Sequence, residues 1–279
     1  MSLDPRLMLA RDGLASADLQ GVLGSAAYRP TMLRQCVALS ADLRRAPHRL
    51  AEQDDQLLFG EQFEVLKEEH GYALGRVARD GYVGWLPAKD LAAPGPAATH
   101  RIAALRAHAF AGPDFKTAAE GPYALNALLA VEDEQGRYLK AAGAGWFAKV
   151  HLAPVGVFET DPAAVAELFL HAPYRWGGRD GMGMDCSGLV QQSLFACGLA
   201  CPRDADQQAV IGRGVERDQL RRSDLVFWPG HVGMMLDETR LIHANSFYMA
   251  VVIEPLETAI ARIDDLGSGP PTAFRRIEL

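Results

Sequence analysis

Cysteines are few in this sequence, and long apolar runs are missing from it. The four cysteines, at positions 36, 186, 197 and 201, are too unevenly spaced for the disulfide framework of a small secreted domain. They also lack the paired spacing of a zinc knuckle, so we expect no metal and no cofactor. Charged residues interrupt the leucines of the first thirty positions, where nothing resembles a secretory leader or a membrane span. We therefore expect a cytoplasmic protein without a membrane partner.

Basic residues are also scarce relative to acidic ones. Lys and Arg number 28 against 35 Asp and Glu, which gives a net charge of -7. Nucleic acid is therefore not an expected partner, because its phosphates bind basic surfaces. The overall composition, 49% hydrophobic and 23% charged, is ordinary for a globular protein, and 279 residues can form two or three small domains with real cores.

One cysteine lies at a predicted helix start. Cys186 is followed by Ser187 and Gly188, after which apolar residues recur at helical spacing (Leu189, Val190, Leu194 and Phe195). Unpaired N–H groups and the helix dipole favour the thiolate at such a position, and the thiolate is the nucleophilic form. Most cysteines at such positions are small core residues, so the helix start alone does not establish catalysis.

Two histidines on successive predicted strands favour catalysis. Strands are predicted over residues 224–228, 231–236 and 240–245, so that His231 begins the second and His243 lies in the third. With a three-residue loop at positions 237–239, the two histidines become diagonal neighbours on one face of the sheet. A two-residue loop would put them on opposite faces. Cys186, His231 and His243 would then supply a nucleophile, a base and a group that orients the base.

Five separated motifs together resemble the NlpC-type cysteine peptidases, bacterial enzymes that cut cell-wall peptides. They are residues 174–178 (YRWGG), 185–188 (DCSG), 224–228 (DLVFW), 231–233 (HVG) and 242–244 (IHA). The resemblance covers about residues 161–279. It implies an α+β, papain-like fold in which a helix carrying the cysteine packs on an antiparallel sheet carrying the histidines. By the same resemblance Cys186 is the nucleophile, His231 the base and His243 the residue that orients His231.

The first half of the chain predicts small β domains. Residues 1–32 mix leucine, alanine and charge, and we expect one or two short helices there. Short strands with glycine turns follow, and the segment 84–92 (GWLPAKDLA) recurs as 145–153 (GWFAKVHLA) at a constant offset of 61. Both copies resemble bacterial SH3-like domains. We predict an N-terminal segment at 1–32, SH3-like β-barrels at 33–93 and 100–156 joined by a linker at 94–99, and the peptidase domain at 157–279.

The two copies differ at one aromatic residue. Tyr82 of the first copy aligns with Gly143 of the second. For a lone tyrosine, core packing is the commoner role. In the endopeptidases that the chain resembles, however, a tyrosine in this segment, an acid of the same domain, and the Asp and Ser beside the cysteine bind the free amino group of the substrate. Here these residues would be Tyr82, Asp185 and Ser187, with Glu52 as the acid and Glu61 as its competitor.

Three further residues are candidates by the same resemblance. Tyr174 could support an oxyanion hole with the backbone N–H of Cys186, and a packing aromatic is the alternative. Arg203 and Asp204 could meet the carboxylate and the amine of a diamino acid. A surface helix cap is the alternative that the sequence favours for this pair.

The resemblance implies a cysteine endopeptidase that hydrolyses the bond between γ-D-glutamate and a diamino acid. Its partners would be murein tripeptides or tetrapeptides with a free N-terminal L-alanine, already released from glycan, which suits cell-wall recycling. The alternatives are a non-catalytic protein that binds wall peptides, and an acyltransferase or amidase on the same scaffold. The complete set of Cys186, His231 and His243 argues against the first, and the amine-binding set around Tyr82 disfavours the second.

Overall fold

A computed structural model describes residues 4–278 of the chain. The chain divides into two compact units, residues 1–155 and 156–279. Among the described residues, no helix is both long and apolar enough to cross a membrane.

Residues 4–32 form mainly short strands, with a single 3-10 helix where the sequence predicted one or two short helices. Strands β1 (Ala10–Arg11), β2 (Leu14–Ser16) and β3 (Ala27–Arg29) build a small sheet, with a 3-10 helix at Ala17–Leu19. Leu9 is buried against Leu66, Leu74 and Trp85 of the β module that follows. Tertiary burial overrides local propensity here, and strands of two or three residues are too short to show a period in the sequence.

The first β module contains strands β4 to β10. Their bounds are β4 (Met32–Cys36), β5 (Ser40–Arg44), β6 (Gln53–Leu58), β7 (Gln62–Glu69), β8 (Tyr72–Val77), β9 (Val83–Pro87) and β10 (Leu91–Ala92), with a 3-10 helix at Ala88–Asp90. The hydrogen-bonded order is β10-β4-β7-β8-β9-β5-β6. Alternate residues of these strands point to one side, and the resulting core includes Leu43, Leu57 and Phe63. Tyr82, just before β9, packs in the same core.

The second β module repeats the end of the first. Its strands are β11 (His100–Ile102), β12 (Arg106–Phe110), β13 (Ala119–Ala124), β14 (Leu128–Leu129), β15 (Val131–Gln135), β16 (Tyr138–Ala141), β17 (Gly145–Ala148) and β18 (Leu152–Pro154). A 3-10 helix at Lys149–His151 follows the one at Ala88–Asp90 at the offset of the sequence repeat. The two modules share a core, in which Tyr123 makes edge-to-face contacts with Phe147 and with Phe59 of the first module.

The second unit has the predicted α+β fold. Its helices are α1 (Pro162–Glu167), α2 (Cys186–Ala196), α3 (Ala205–Gln208) and α4 (Leu256–Asp265), with a 3-10 helix at Arg217–Gln219. Its strands are β19 (Arg213–Gly214), β20 (Leu225–Trp228), β21 (His231–Met235), β22 (Arg240–Asn245), β23 (Ala250–Pro255) and β24 (Ala273–Arg276). They form an antiparallel sheet in the order β19-β24-β20-β21-β22-β23. Helix α2 packs on β21 and β22, and α4 contacts β23.

Candidate active site

Cys186 is the first residue of helix α2, as the sequence predicted. Asp185 is the N-cap, and its Oδ1 accepts a hydrogen bond from the N–H of Gly188 at 2.7 Å. Gly188 has no room for a side chain, because a Cβ there would lie 2.5 Å from the carbonyl oxygen of Gly178. The Asp-Cys-Ser-Gly motif therefore both starts the helix and lets its first turn approach the preceding loop closely.

The thiol of Cys186 is buried, and burial opposes the thiolate that a helix start favours. Burial raises its pKa to about 12, and the adjacent charge of Asp185 adds to the increase. Backbone N–H groups of Val232 and Ser187 lower the pKa without offsetting burial. Desolvation outweighs the helix dipole, which supplies only about half a unit charge. The contact with Val232, the residue after His231, also places the thiol beside strand β21.

The hairpin of β21 and β22 brings the two histidines together. The register of their pairing is that of a three-residue loop at positions 237–239. His231 and His243 share one face of the sheet, and His231 Nε2 lies 2.8 Å from His243 Nδ1. A Cβ on Gly233 would lie 2.1 Å from Leu241 and 3.4 Å from the Cβ of His243. The missing side chain at Gly233 keeps this face clear, so that the two rings can meet.

Glu254 extends the histidine pair, and sequence reasoning missed it. The pairing of β22 with β23 sets Glu254 diagonal to His243, and His243 Nε2 lies 2.8 Å from Glu254 Oε1. The same oxygen accepts a hydrogen bond from Arg262 of helix α4 at 2.5 Å. Asn245 Nδ2 lies 3.0 Å from the same ring nitrogen of His243. An acid inside the apolar run of strand β23 was the available signal, since a buried carboxylate needs a partner.

Burial keeps both histidines neutral. It lowers the pKa of His231 to about 3, and the neighbouring His243 adds to the decrease. Burial also lowers the pKa of His243, and this effect outweighs the hydrogen bond with Glu254, which raises that pKa. For Glu254, burial alone would raise the pKa, but hydrogen bonds with His243 and Arg262 lower it overall. The site at rest therefore holds a neutral thiol, two neutral imidazoles and an ionised carboxylate that is paired with an arginine.

Arg203 is buried against Asp185, so the surface position that the sequence favoured for it is wrong. Its side chain is 1% exposed, and its Nη1 and Nη2 lie 3.1 and 2.7 Å from the two carboxylate oxygens of Asp185. Arg203 Nη1 also donates to Ser187 Oγ at 2.9 Å. The N–H of Gly177 donates to the same carboxylate at 2.8 Å. Three predicted substrate-binding residues, Asp185, Ser187 and Arg203, thus form an internal ion pair with a hydroxyl beside it.

Asp204 and Tyr174 have different surroundings. Asp204 is the N-cap of helix α3 and forms a capping box with Gln207. Burial raises the pKa of the Tyr174 hydroxyl, and the neighbouring Cys186 and Asp185 add to the increase. Tyr174 is therefore a neutral hydrogen-bond donor close to the thiol.

Glu52 of the first module belongs to an exposed charged group. Its side chain is 48% exposed and lies 2.7 Å from Arg45, which also contacts Asp54 at 2.9 Å. The hydrogen bond with Asp54 raises the pKa of Arg45, and the charges of Asp54 and Glu52 and the nearby Tyr82 add to the increase. Tyr82 is therefore close to this group, although its own side chain is largely buried.

Glu61, the competitor of Glu52, has an internal role. Its side chain is 1% exposed and lies 3.2 Å from Arg79. Its Oε2 accepts a hydrogen bond from the N–H of Leu58 at 2.9 Å. Of the two acids, Glu52 is therefore the one whose carboxylate faces solvent.

Comparison with known proteins gives the class of this chain, a hydrolase of the cysteine peptidase type. Residues 171–264 match the model of the NlpC/P60 family, and residues 43–91 match that of the bacterial dipeptidyl-peptidase Sh3 domain. The chain therefore carries a bacterial SH3 domain followed, later in the sequence, by an NlpC/P60 peptidase domain. This confirms the resemblance that the five motifs predicted.

Curated relatives and a solved structure extend the match. The chain is 29% identical over 230 residues to the γ-D-glutamyl-L-lysine dipeptidyl-peptidase of Bacillus subtilis, covering 74% of this chain and 76% of that protein. It is 35% identical over 91 residues to dipeptidyl-peptidase 6 of Lysinibacillus sphaericus, covering 32% of this chain and 33% of that protein. A crystal structure of an NlpC/P60 family protein from Bacillus cereus matches with a TM-score of 0.75 at 20% identity, over 88% of this chain and 99% of that one. At this identity the structural likeness shows the fold alone.

Proposed function

We propose that this chain is an endopeptidase that hydrolyses the bond between γ-D-glutamate and a diamino acid in murein tripeptides or tetrapeptides. The substrate has a free N-terminal L-alanine, and the reaction belongs to the recycling of cell-wall peptides. The observation that carries the proposal is the pair of His231 and His243 on the hairpin beside the buried thiol of Cys186. The B. subtilis relative, named a γ-D-glutamyl-L-lysine dipeptidyl-peptidase, supports the substrate class. The cytoplasmic location expected from the sequence stays a prediction.

In the proposed reaction the thiol loses its proton only as it attacks. Cys186 Sγ adds to the γ-glutamyl carbonyl while His231 Nδ1, the ring nitrogen not bonded to His243, takes the thiol proton. The imidazolium then gives this proton to the leaving amine, and water hydrolyses the thioester with the same nitrogen as base. The backbone N–H of Cys186 and the Tyr174 hydroxyl are the proposed donors to the oxyanion. The neutral resting forms of thiol and imidazole support this order over a preformed ion pair.

The proposal assigns recognition of the substrate ammonium to Tyr82 and Glu52 together with Asp185 and Ser187. Asp185 is paired with the buried Arg203, whereas the carboxylate of Glu52 is 48% exposed and shares Arg45 with Asp54. The exposure of Glu52 supports it as the acid that attracts the substrate ammonium. An exposed negative group beside a tyrosine hydroxyl supports a preference for a free amine over an acetylated one.

Specificity constants for three substrates test the proposal. They are the tripeptide L-Ala-γ-D-Glu-diaminopimelate, its N-acetylated form, and intact glycan-linked peptide. Acetylation removes the ammonium charge that Glu52 would attract. Because Glu52 is 48% exposed and already paired with Arg45, we expect a loss of about 1 kcal/mol, so the acetylated peptide should be cut roughly five times more slowly. Tyr82→Phe should lose a smaller part of this discrimination. Comparable rates on all three substrates would refute the recycling assignment.

Cysteine variants separate the chemistry from the fold. Cys186→Ala should abolish hydrolysis while the protein remains folded. Cys197→Ala, at the other end of the same helix, is the matched control and should keep its activity. Full activity of Cys186→Ala would rule out the thiol mechanism.

A further inference from the structure

A neutral imidazole carries its proton on one of two ring nitrogens, and the peptidase reaction proposed above requires a particular choice at both histidines. His231 Nε2 is bonded to His243 Nδ1, so Nδ1 of His231 is the nitrogen that remains for the thiol. That nitrogen must be unprotonated to act as base. The proton of His231 therefore lies on Nε2 and is donated to His243 Nδ1, which obliges His243 to carry its own proton on Nε2.

Two side chains with opposite preferences contact Nε2 of His243. Glu254 Oε1, at 2.8 Å, is an acceptor and favours a proton on this nitrogen. Asn245 Nδ2, at 3.0 Å, is a donor and favours an unprotonated nitrogen. The amide of Asn245 is fixed in this orientation, because its Oδ1 accepts the N–H of Tyr248 at 2.9 Å. The tautomer of His243 thus depends on which neighbour interacts more strongly.

Charge decides this competition in favour of the carboxylate. Hydrogen bonds with an ionised partner are about twice as strong as those between neutral groups. Arg262 keeps Glu254 ionised through the contact at 2.5 Å to the same oxygen. The guanidinium is itself held between two aromatic contacts, 4.9 Å from the ring of Phe247 and 5.4 Å from that of Tyr248.

We propose that Glu254, held by Arg262, is a positioning residue that sets the tautomer of His243 and, through it, that of His231. Without the carboxylate, Asn245 donates to Nε2 of His243. His243 then donates from Nδ1 to His231, and His231 carries its proton on Nδ1, where it cannot accept the proton of the thiol. Glu254 and Arg262 together have no net charge, so the pair acts through the direction of the hydrogen bonds.

The tautomers can be observed directly in 15N spectra of protein labelled at histidine, assigned with His231→Gln and His243→Gln. In the wild type both rings should carry the proton on Nε2. Glu254→Ala should move both protons to Nδ1. It should also lower kcat by roughly 10- to 10⁴-fold and leave KM unchanged. The upper figure is the loss expected for a triad imidazole in the wrong tautomer. Glu254→Gln keeps an acceptor oxygen but removes the charge that decides the competition with Asn245. Both tautomers of His243 should then be populated, and kcat should fall less than in Glu254→Ala.

Two further variants sharpen the test. Adding Asn245→Ala to Glu254→Ala removes the competing donor, and should restore part of the Nε2–H signal of His243 and part of kcat. Glu257→Gln is the matched control, since it removes an exposed carboxylate of helix α4 that pairs with Arg217. It should leave both the spectra and the turnover unchanged.

The proposal is overturned if His243 of the wild type is protonated on Nδ1, or if Glu254→Ala keeps both tautomers and its turnover. The wild-type spectrum alone tests the assigned tautomers, even where Glu254→Ala does not fold. The spectra need no substrate, so a wild type that fails to cut the peptide would refute the proposed function and leave this test intact.

Discussion

The buried pair of Arg203 and Asp185 gives a prediction with a large and measurable effect. Arg203→Met keeps an apolar stem of similar length and removes the hydrogen bonds to both carboxylate oxygens of Asp185 and the one to Ser187. The carboxylate that remains is 6% exposed, accepts from the N–H groups of Gly177 and Gly188 and from the Ser187 hydroxyl, and loses its cation. Removing one partner from a buried ion pair costs about 3–5 kcal/mol, because the other charge is left without compensation.

Urea and thermal unfolding of Arg203→Met measure this loss. For a unit of the size of residues 156–279, about 3–5 kcal/mol corresponds to a decrease in Tm of roughly 10–20 °C. Trp176 and Trp228 lie in this unit, and Trp85 and Trp146 in the other. Single-tryptophan variants therefore show in which unit the loss occurs.

Arg222→Met is the matched control for this substitution. Arg222 also makes two ion pairs, with Asp161 and Glu167 at 2.7 Å each, but its side chain is 39% exposed. Exposed pairs contribute at most about 1 kcal/mol, so this variant should unfold nearly like the wild type. If Arg203→Met were no less stable than Arg222→Met and instead raised KM for the peptide, Arg203 would be a ligand of the diamino acid, and its structural role would be refuted.

The remaining predictions concern the histidines and the thiol. His231→Ala should lose nearly all turnover, whereas His243→Gln should keep some, because a glutamine amide can accept from His231 and donate to Glu254. An inactive His243→Gln beside an active His231→Ala would reverse the two roles. Burial raises the pKa of Cys186 to about 12. The rate of alkylation of this thiol by iodoacetamide should therefore be low at pH 7 and should still increase beyond pH 9. With Cys186→Ala as the background, a plateau below pH 7 would instead indicate a resting thiolate.

Local pattern was sufficient for the helix of the cysteine and for the strands that carry the histidines, but it left the length of the hairpin loop open. The capping aspartate and the apolar spacing after Cys186 define the start of α2, and the loop of three residues fixes which face His243 occupies. Both features depend on neighbours within about ten residues. The sequence therefore predicts the helix start and the strands, and the structure supplies the three-residue loop.

Residues that act through distant partners could not be predicted in the same way. Glu254 reaches His243 because of the register of β22 and β23, and Arg262 reaches Glu254 because helix α4 packs there. The burial that makes the thiol of Cys186 neutral likewise depends on the whole unit, and the helix start alone does not show it. Arg203 shows the same limit, since its partner lies 18 positions earlier in the chain.

A nucleophile that rests as a buried thiol also affects how long the protein survives oxidative stress. Peroxides attack the thiolate and convert it first to sulfenic acid, which thiols can reduce, and then to sulfinic and sulfonic acids, which in most proteins are not repaired. The sulfur of Cys186 is protonated at neutral pH and its side chain is almost fully buried, so it becomes vulnerable mainly during turnover. We therefore expect peroxide to inactivate the resting protein more slowly than it would a cysteine peptidase whose nucleophile rests as a thiolate.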